Sequence, residues 1–271
     1  MDSPEGGDMG VLFLGWDVGA WNSDEGTSRD ALFALEGTSL DQLSICEDGK
    51  GFRPRPRAPF RAELLQARHP DFLLELLGIQ RMKRRVVLAI DAPLQWSTSF
   101  MELVQGRLPE EVPGEVASEN PIAFRLTERI LADFSVVSAV RDRIGSQATK
   151  AQYFLRKFGA KPIRPGVFSV KDRWTVIETF PRVARMDRST RRRVEKLFPK
   201  VFPNALGDKP TPADCDLRDA LLCAYVAALF ELGEEDDLVR PLPSQRAIAS
   251  SEGWIWRPSA AKPDFDLRGK W

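Results

Sequence analysis

Four places in this sequence put carboxylates where regular structure would bring them to a shared edge. The apolar run Val11-Leu12-Phe13-Leu14-Gly15-Trp16 ends on Asp17, and Gly19 then lets the backbone turn without a steric cost. Val86-Val87-Leu88-Ala89-Ile90 runs directly into Asp91, and Trp174-Thr175-Val176-Ile177 into Glu178. Asp216 and Asp219 stand three apart in the first turn of a strongly apolar helix expected over 214–232, so both lie on nearly one face. If the first two runs are neighbouring parallel strands, Asp17 and Asp91 emerge side by side, and ionised carboxylates that close repel unless a proton or cation sits between them. Hard divalent ions, Mg²⁺ or Mn²⁺, are the expected occupants because they take oxygen ligands. Two such ions held about 4 Å apart can bracket the attacking and leaving oxygens of a phosphoryl transfer. Each acid also has a plainer reading. A strand-end Asp is a common turn residue, an Asp in a first helical turn complements the helix dipole, and Glu178 could simply face solvent.

The elements that must position these acids can be read from periodicity and turn signals. Runs at 31–36 and 43–46 follow the first strand so closely that an antiparallel meander is the simplest joining. A helical pattern over 61–77, interrupted by His69-Pro70, lies before the strand ending at Asp91 and supplies the crossover that parallel pairing needs. Residues 97–166 read as mainly helical, with candidate helices at 99–105, 121–134 and 147–158. That is too long for an ordinary connection and predicts a helical insertion over the carboxyl ends of the strands. A charged helix is expected over 182–198, and Trp254-Ile255-Trp256 reads as an edge strand or strap. The expectation is one α/β domain over 9–258: three antiparallel strands, then parallel strands with crossover helices, the insertion at 97–166, and a tail at 259–271.

Composition narrows the function classes. The balance of 39 acidic and 39 basic residues argues against a protein that coats nucleic acid through its overall field and leaves room for a local basic patch. Candidate patches are Arg188, Arg191, Arg192, Arg193 and Lys196; Arg81, Lys83, Arg84 and Arg85; and Arg53, Arg55 and Arg57. They support a non-catalytic nucleic-acid-binding module as one alternative, though charge runs are more often solvated faces. A single histidine, His69, and three cysteines without C-x-x-C spacing argue against a zinc site and suggest reduced thiols. Cys215, beside Asp216, is read as structural. The acidic N-terminus has no signal-peptide pattern, and no apolar run approaches the roughly 20 residues of a membrane span, so a cytoplasmic protein is expected.

Several short segments together resemble a known family. They are Gly15-Trp16-Asp17-Val18-Gly19, Ala89-Ile90-Asp91-Ala92-Pro93-Leu94, Phe124-Arg125-Leu126-Thr127-Glu128, Gly145-Ser146-Gln147-Ala148, Ile177-Glu178-Thr179-Phe180-Pro181, Asp216-Leu217-Arg218-Asp219-Ala220 and Glu252-Gly253-Trp254-Ile255-Trp256. Over about residues 11–258 the chain resembles the family called domain of unknown function 429, described as predicted nucleases of ribonuclease H-like fold. The resemblance implies a metal-dependent nuclease with Asp17, Asp91, Glu178 and Asp216 or Asp219 at its site and nucleic acid as substrate. Arg125, Gln147 and Lys150 of the insertion are candidate contacts to a phosphate or base, the alternative being that they cap and pair helices locally. Actin-like and sugar-kinase ATPases also begin with a strand ending in Asp and a Gly, which makes an ATPase or small-molecule phosphotransferase the nearest rival. Their second phosphate loop needs backbone donors after the second Asp, where Pro93 has no N–H to give.

Overall fold

The strand Leu12–Asp17 (β1) is buried along its length except at its terminal Asp. A strand with apolar residues at successive positions requires cover on both faces. The computed structural model, which describes residues 10–20, 29–46, 59–80, 84–111, 116–131, 138–198 and 212–259, supplies that cover. Leu12, Leu14 and Trp16 join Val86, Leu88 and Ile90 in one core with Phe60, Leu64, Leu73 and Phe154. Phe13, Val87, Ala89 and Ile177 join a second core on the opposite face with Ala220, Cys223, Ala224 and Ala227. The alternation of side chains along each strand therefore divides the protein into helix, sheet and helix layers.

The sheet is mixed. Ala31–Glu36 (β2) pairs antiparallel with β1, and the short Ser44–Ile45 (β3) pairs antiparallel with β2. Val86–Asp91 (β4) pairs parallel with β1, reached through the helices Pro59–Gln66 (α1) and Phe72–Leu76 (α2), which break at His69-Pro70. Residues 97–166 hold Thr98–Val104 (α3), Leu126–Ile130 (α4) and Asp142–Lys157 (α5), but they end in a strand, Lys161–Arg164 (β5). β5 pairs with Val167–Val170 (β6), and β6 pairs antiparallel with Trp174–Thr179 (β7), which lies parallel to β4. The expected limit of the insertion at 166 therefore falls within a hairpin. β5 is exposed at all four positions and carries Pro162, so it shows neither alternation nor an apolar run.

The expected charged helix is two helices, Pro181–Met186 (α6) and Arg188–Leu197 (α7). Asp187 separates them and caps the second by accepting hydrogen bonds from the Ser189 and Thr190 amides. Pro212–Leu232 (α8) follows, then Arg246–Glu252 (α9), which the sequence reading did not separate from the strap, and Ile255–Trp256 (β8), parallel to β7. The final order is β3-β2-β1-β4-β7-β6-β5 with β8 beside β7. Arg53, Arg55, Arg57, Arg81, Lys83 and the tail beyond residue 259 lie outside the described residues.

The helix and sheet layers approach closely at Gly15. A Cβ there would run into the Ala220 carbonyl oxygen and the Ala224 amide and would stand 2.9 Å from the Cys223 Cβ. A glycine in the middle of a strand thus lets α8 lie directly on β1, and Ala220, Ala224 and Ala227 keep the helix side of the contact small. Gly15→Ala should cost about 3 kcal/mol or more, since backbone must move to admit the methyl group. That corresponds to a fall of roughly 6–12 °C in the thermal midpoint, and an unchanged midpoint would contradict the packing described.

Candidate active site

Asp17 and Asp91 are the last residues of β1 and β4 and face each other in the parallel register. Adjacent strands lie about 4.8 Å apart, so the two carboxylates leave the sheet as neighbours. α8 brings Asp216 and Asp219 toward the same edge, because the turns that follow them, at Ala220, Cys223 and Ala224, lie on β1 at Gly15. The effect on protonation is mutual. Loss of water raises the Asp17 pKa well above the ordinary value, and the charges of Asp91, Asp219, Asp216 and Asp30 raise it further. Asp91 is raised well above its ordinary value by burial, then by Asp219 and Glu178, and the Arg185 guanidinium opposes the rise. Burial also raises Asp219 against the opposing charges of Arg185 and Arg218.

Among the described residues, no group of three or more His, Cys, Asp or Glu side chains is gathered closely enough to form a metal coordination shell. The donor chemistry nevertheless suits a hard divalent ion. Its oxygens are carboxylates whose charged forms are mutually destabilised, and Asp219 Oδ1 is buried without a hydrogen-bond partner. Cys223, one turn beyond Asp219, is the thiol that the acids act on. It is fully buried, and its pKa is pushed well up by burial and then by Asp91, Asp17 and Asp219. The i, i+4 spacing from Asp219 was the signal for it, whereas the sequence reading had considered Cys215.

Glu178 is occupied differently. Ile90, the residue before Asp91, is its register partner, and both Glu178 oxygens receive the Arg125 guanidinium, at 2.5 Å from Nη2 and 2.8 Å from Nη1. Its Oε2 also accepts the Leu94 amide at 2.9 Å, which fixes the turn that follows Asp91. Arg125 further donates from Nε and Nη2 to Glu128 Oε1, and from Nη1 to the Glu252 carbonyl. The Glu252 carboxylate accepts the Thr98 and Leu126 amides, and Thr127 Oγ1 accepts the Ile255 amide. Four of the short segments noted in the sequence thus meet in one buried network, at the turn after β4, at α4, at β7 and at the α9–β8 junction.

Arg125 and Lys150 are each 1% exposed, and their polar atoms are taken up by the protein. Lys150 Nζ donates to Asp30 Oδ2 at 2.8 Å and to the Gly19 and Ala20 carbonyls at 2.6 and 3.2 Å. Gln147 Nε2 donates to the Val18 carbonyl at 2.6 Å. Asp30 completes the clasp by accepting Trp16 Nε1 and the Gly19 amide. These three insertion residues, read as candidate substrate contacts or as local helix caps, bond instead to distant parts of the chain: Arg125 braces Glu178, while Lys150 and Gln147 brace the backbone that follows Asp17. The Asp30 partner was not recognised in the sequence, because it lies 120 positions from Lys150 and at the start of another strand.

In comparisons with known proteins, no family model, no curated protein and no solved structure matches the chain. The fold established for it is accordingly an α/β arrangement with a mixed sheet.

Two predictions follow from the electrostatics. Arg125→Met leaves Glu178 and Glu128 buried without their cation and should cost about 3–5 kcal/mol near neutral pH. The deficit should shrink in acid as the stranded carboxyls protonate, and a pH-independent deficit in denaturant unfolding would contradict the network. For Asp17 the folded-state pKa lies above the unfolded one, so native protein holds a proton that unfolded chain has released, and stability falls as pH rises across that interval. In chelator, Asp17→Asn should therefore raise the unfolding midpoint at pH 7.5, with the gain closing as pH falls toward the ordinary carboxylate value. A loss of stability at pH 7.5 would contradict the repulsion.

Proposed function

We propose that this protein is a metal-dependent nuclease of ribonuclease H-like architecture, similar to the predicted nucleases of the domain of unknown function 429 family. The observation that carries the reading is the facing of Asp17 and Asp91 at the carboxyl ends of adjacent parallel strands, with the unbonded Asp219 Oδ1 brought to the same edge by α8. The strand order β3-β2-β1-β4-β7, antiparallel and then parallel, supports the architecture. Asp17 and Asp91, with Asp219 and Asp216 from α8, would hold Mg²⁺ or Mn²⁺. Two bound ions would supply charge at the attacking and leaving oxygens of the phosphodiester. Water adds to phosphorus, the P–O ester bond breaks, and the leaving oxygen departs with a proton. Glu178 and Arg125 keep the turn after Asp91 in place, and Lys150 with Asp30 does the same for the segment after Asp17.

The ATPase or phosphotransferase alternative is weakened by the turn after Asp91. Pro93 has no N–H, and the Leu94 amide is already bonded to Glu178, so this turn offers a phosphate little of the backbone cradle such enzymes need. The binding-module alternative is weakened where its described arginines are paired: Arg84 with Glu36, Arg85 with Glu231, Arg191 with Glu195 and Arg193 with Asp41. Among the described residues no helix is long and apolar enough to cross a membrane.

Calorimetry with Mn²⁺ on wild type and Asp17→Asn, followed by single-stranded, duplex, hybrid and junction substrates, tests the proposal. The wild type should bind Mn²⁺ and cleave at least one substrate, and the variant should lose at least about tenfold in metal affinity and most of the cleavage. Metal binding without cleavage of any substrate would move small-molecule phosphoryl transfer ahead. Absence of Mn²⁺ binding to the wild type would overturn the site.

A further inference from the structure

Two cations act on Asp219, Arg218 from its own helix and Arg185 from a neighbouring one. Arg185 lies in the last turn of α6, the helix that starts two residues after β7 and packs on α8. Its Nη1 stands 3.8 Å from Asp219 Oδ1, close enough to pair electrostatically but too far to hydrogen-bond, and Asp219 Oδ1 is buried without a hydrogen-bond partner. The Arg185 side chain is 45% exposed, in contrast to Arg125 and Lys150, whose charges are enclosed.

We propose that Arg185 is a substrate-contacting residue, its guanidinium gripping a non-bridging oxygen of a phosphodiester laid against Asp17, Asp91 and Asp219. This role rests on the phosphodiesterase reading above. A guanidinium offers two parallel donors that match two phosphate oxygens, and it stays charged at any working pH. Its placement also fits the charge sequence of such a site. With the carboxylates unligated, Arg185 offsets part of their repulsion, and its field acts on both Asp91 and Asp219. When divalent charge enters beside the carboxylates, like-charge repulsion disfavours the guanidinium at Asp219, and a phosphate becomes its better partner.

A cation that helps the substrate and opposes the metal gives a signature of two opposite signs. The experiment uses the full chain, with Mn²⁺ binding measured by calorimetry and dimethyl phosphate as the diester probe, followed by the ³¹P line broadening that protein-bound Mn²⁺ causes. Arg185→Gln should bind Mn²⁺ about threefold to tenfold more tightly than wild type, because a repelling charge is gone. At equal bound Mn²⁺, its affinity for dimethyl phosphate should fall about tenfold, as expected for loss of a charge-assisted hydrogen bond. Arg185→Lys, which keeps the charge but not the fork, should bind Mn²⁺ like wild type and recover only part of the diester affinity. If both affinities fall together in Arg185→Gln, the residue merely holds Asp219 in place and the proposal fails. If neither changes, it also fails. Absence of Mn²⁺ binding to wild type overturns the nuclease reading itself and this role with it, whereas Mn²⁺ binding with unaltered diester affinity in Arg185→Gln overturns the role of Arg185 alone.

Discussion

Carboxylates at facing positions on adjacent parallel strands must either share protons or attract positive charge, and the arrangement of this protein is built around that repulsion. Asp17 and Asp91 cannot relax apart, because each ends a strand buried on both faces. α8 cannot retreat either, since the absence of a side chain at Gly15 seats it directly on β1 and sets Asp219 above the pair. The apolar layers thus offset an electrostatic cost concentrated at one edge, and the proposed metal site rests on that cost.

Two polar clasps keep the backbone beside each Asp from moving to ease the strain. Lys150 and Gln147 reach from α5 to the carbonyls of residues 18–20, with Asp30 closing the contact. Glu178 reaches from β7 to the Leu94 amide, and Arg125 neutralises Glu178 from the insertion side. The second clasp carries one guanidinium for the carboxylates of Glu178 and Glu128. Burial accordingly pushes the Glu128 pKa up even against the pull of Arg125. Breaking such a buried set by removing one partner costs far more than its net contribution, so it acts chiefly to fix geometry. The insertion and the C-terminal strand are joined to the site's frame through it.

The parts of this design legible in the sequence were those written in local pattern. β1 and β4 announce themselves as apolar runs ending in Asp, and the face of α8 follows from helical spacing at Asp216 and Asp219. The β5–β6 hairpin was missed because Lys161-Pro162-Ile163-Arg164 is an exposed edge strand with no periodic signal. The roles of Arg125, Lys150 and Glu178 were not legible because their partners lie 53 to 131 positions away, and nothing local shows whether a charged side chain will find a distant partner or face solvent. Gly15 was the missed clue for the layer packing, since a lone glycine inside an apolar strand marks a close backbone approach. Arg185 lay within a charged helical stretch whose division at Asp187 was invisible until the cap was seen.

The central claim, that the edge formed by Asp17, Asp91 and Asp219 is a seat for divalent cations, is tested most directly by anomalous diffraction at the manganese edge from crystals grown with Mn²⁺. The account predicts an anomalous peak between the Asp17 and Asp91 carboxylates with Asp219 drawn into its ligand shell. A map with no peak there, and with those carboxyl groups hydrogen-bonded to one another through shared protons, would contradict it.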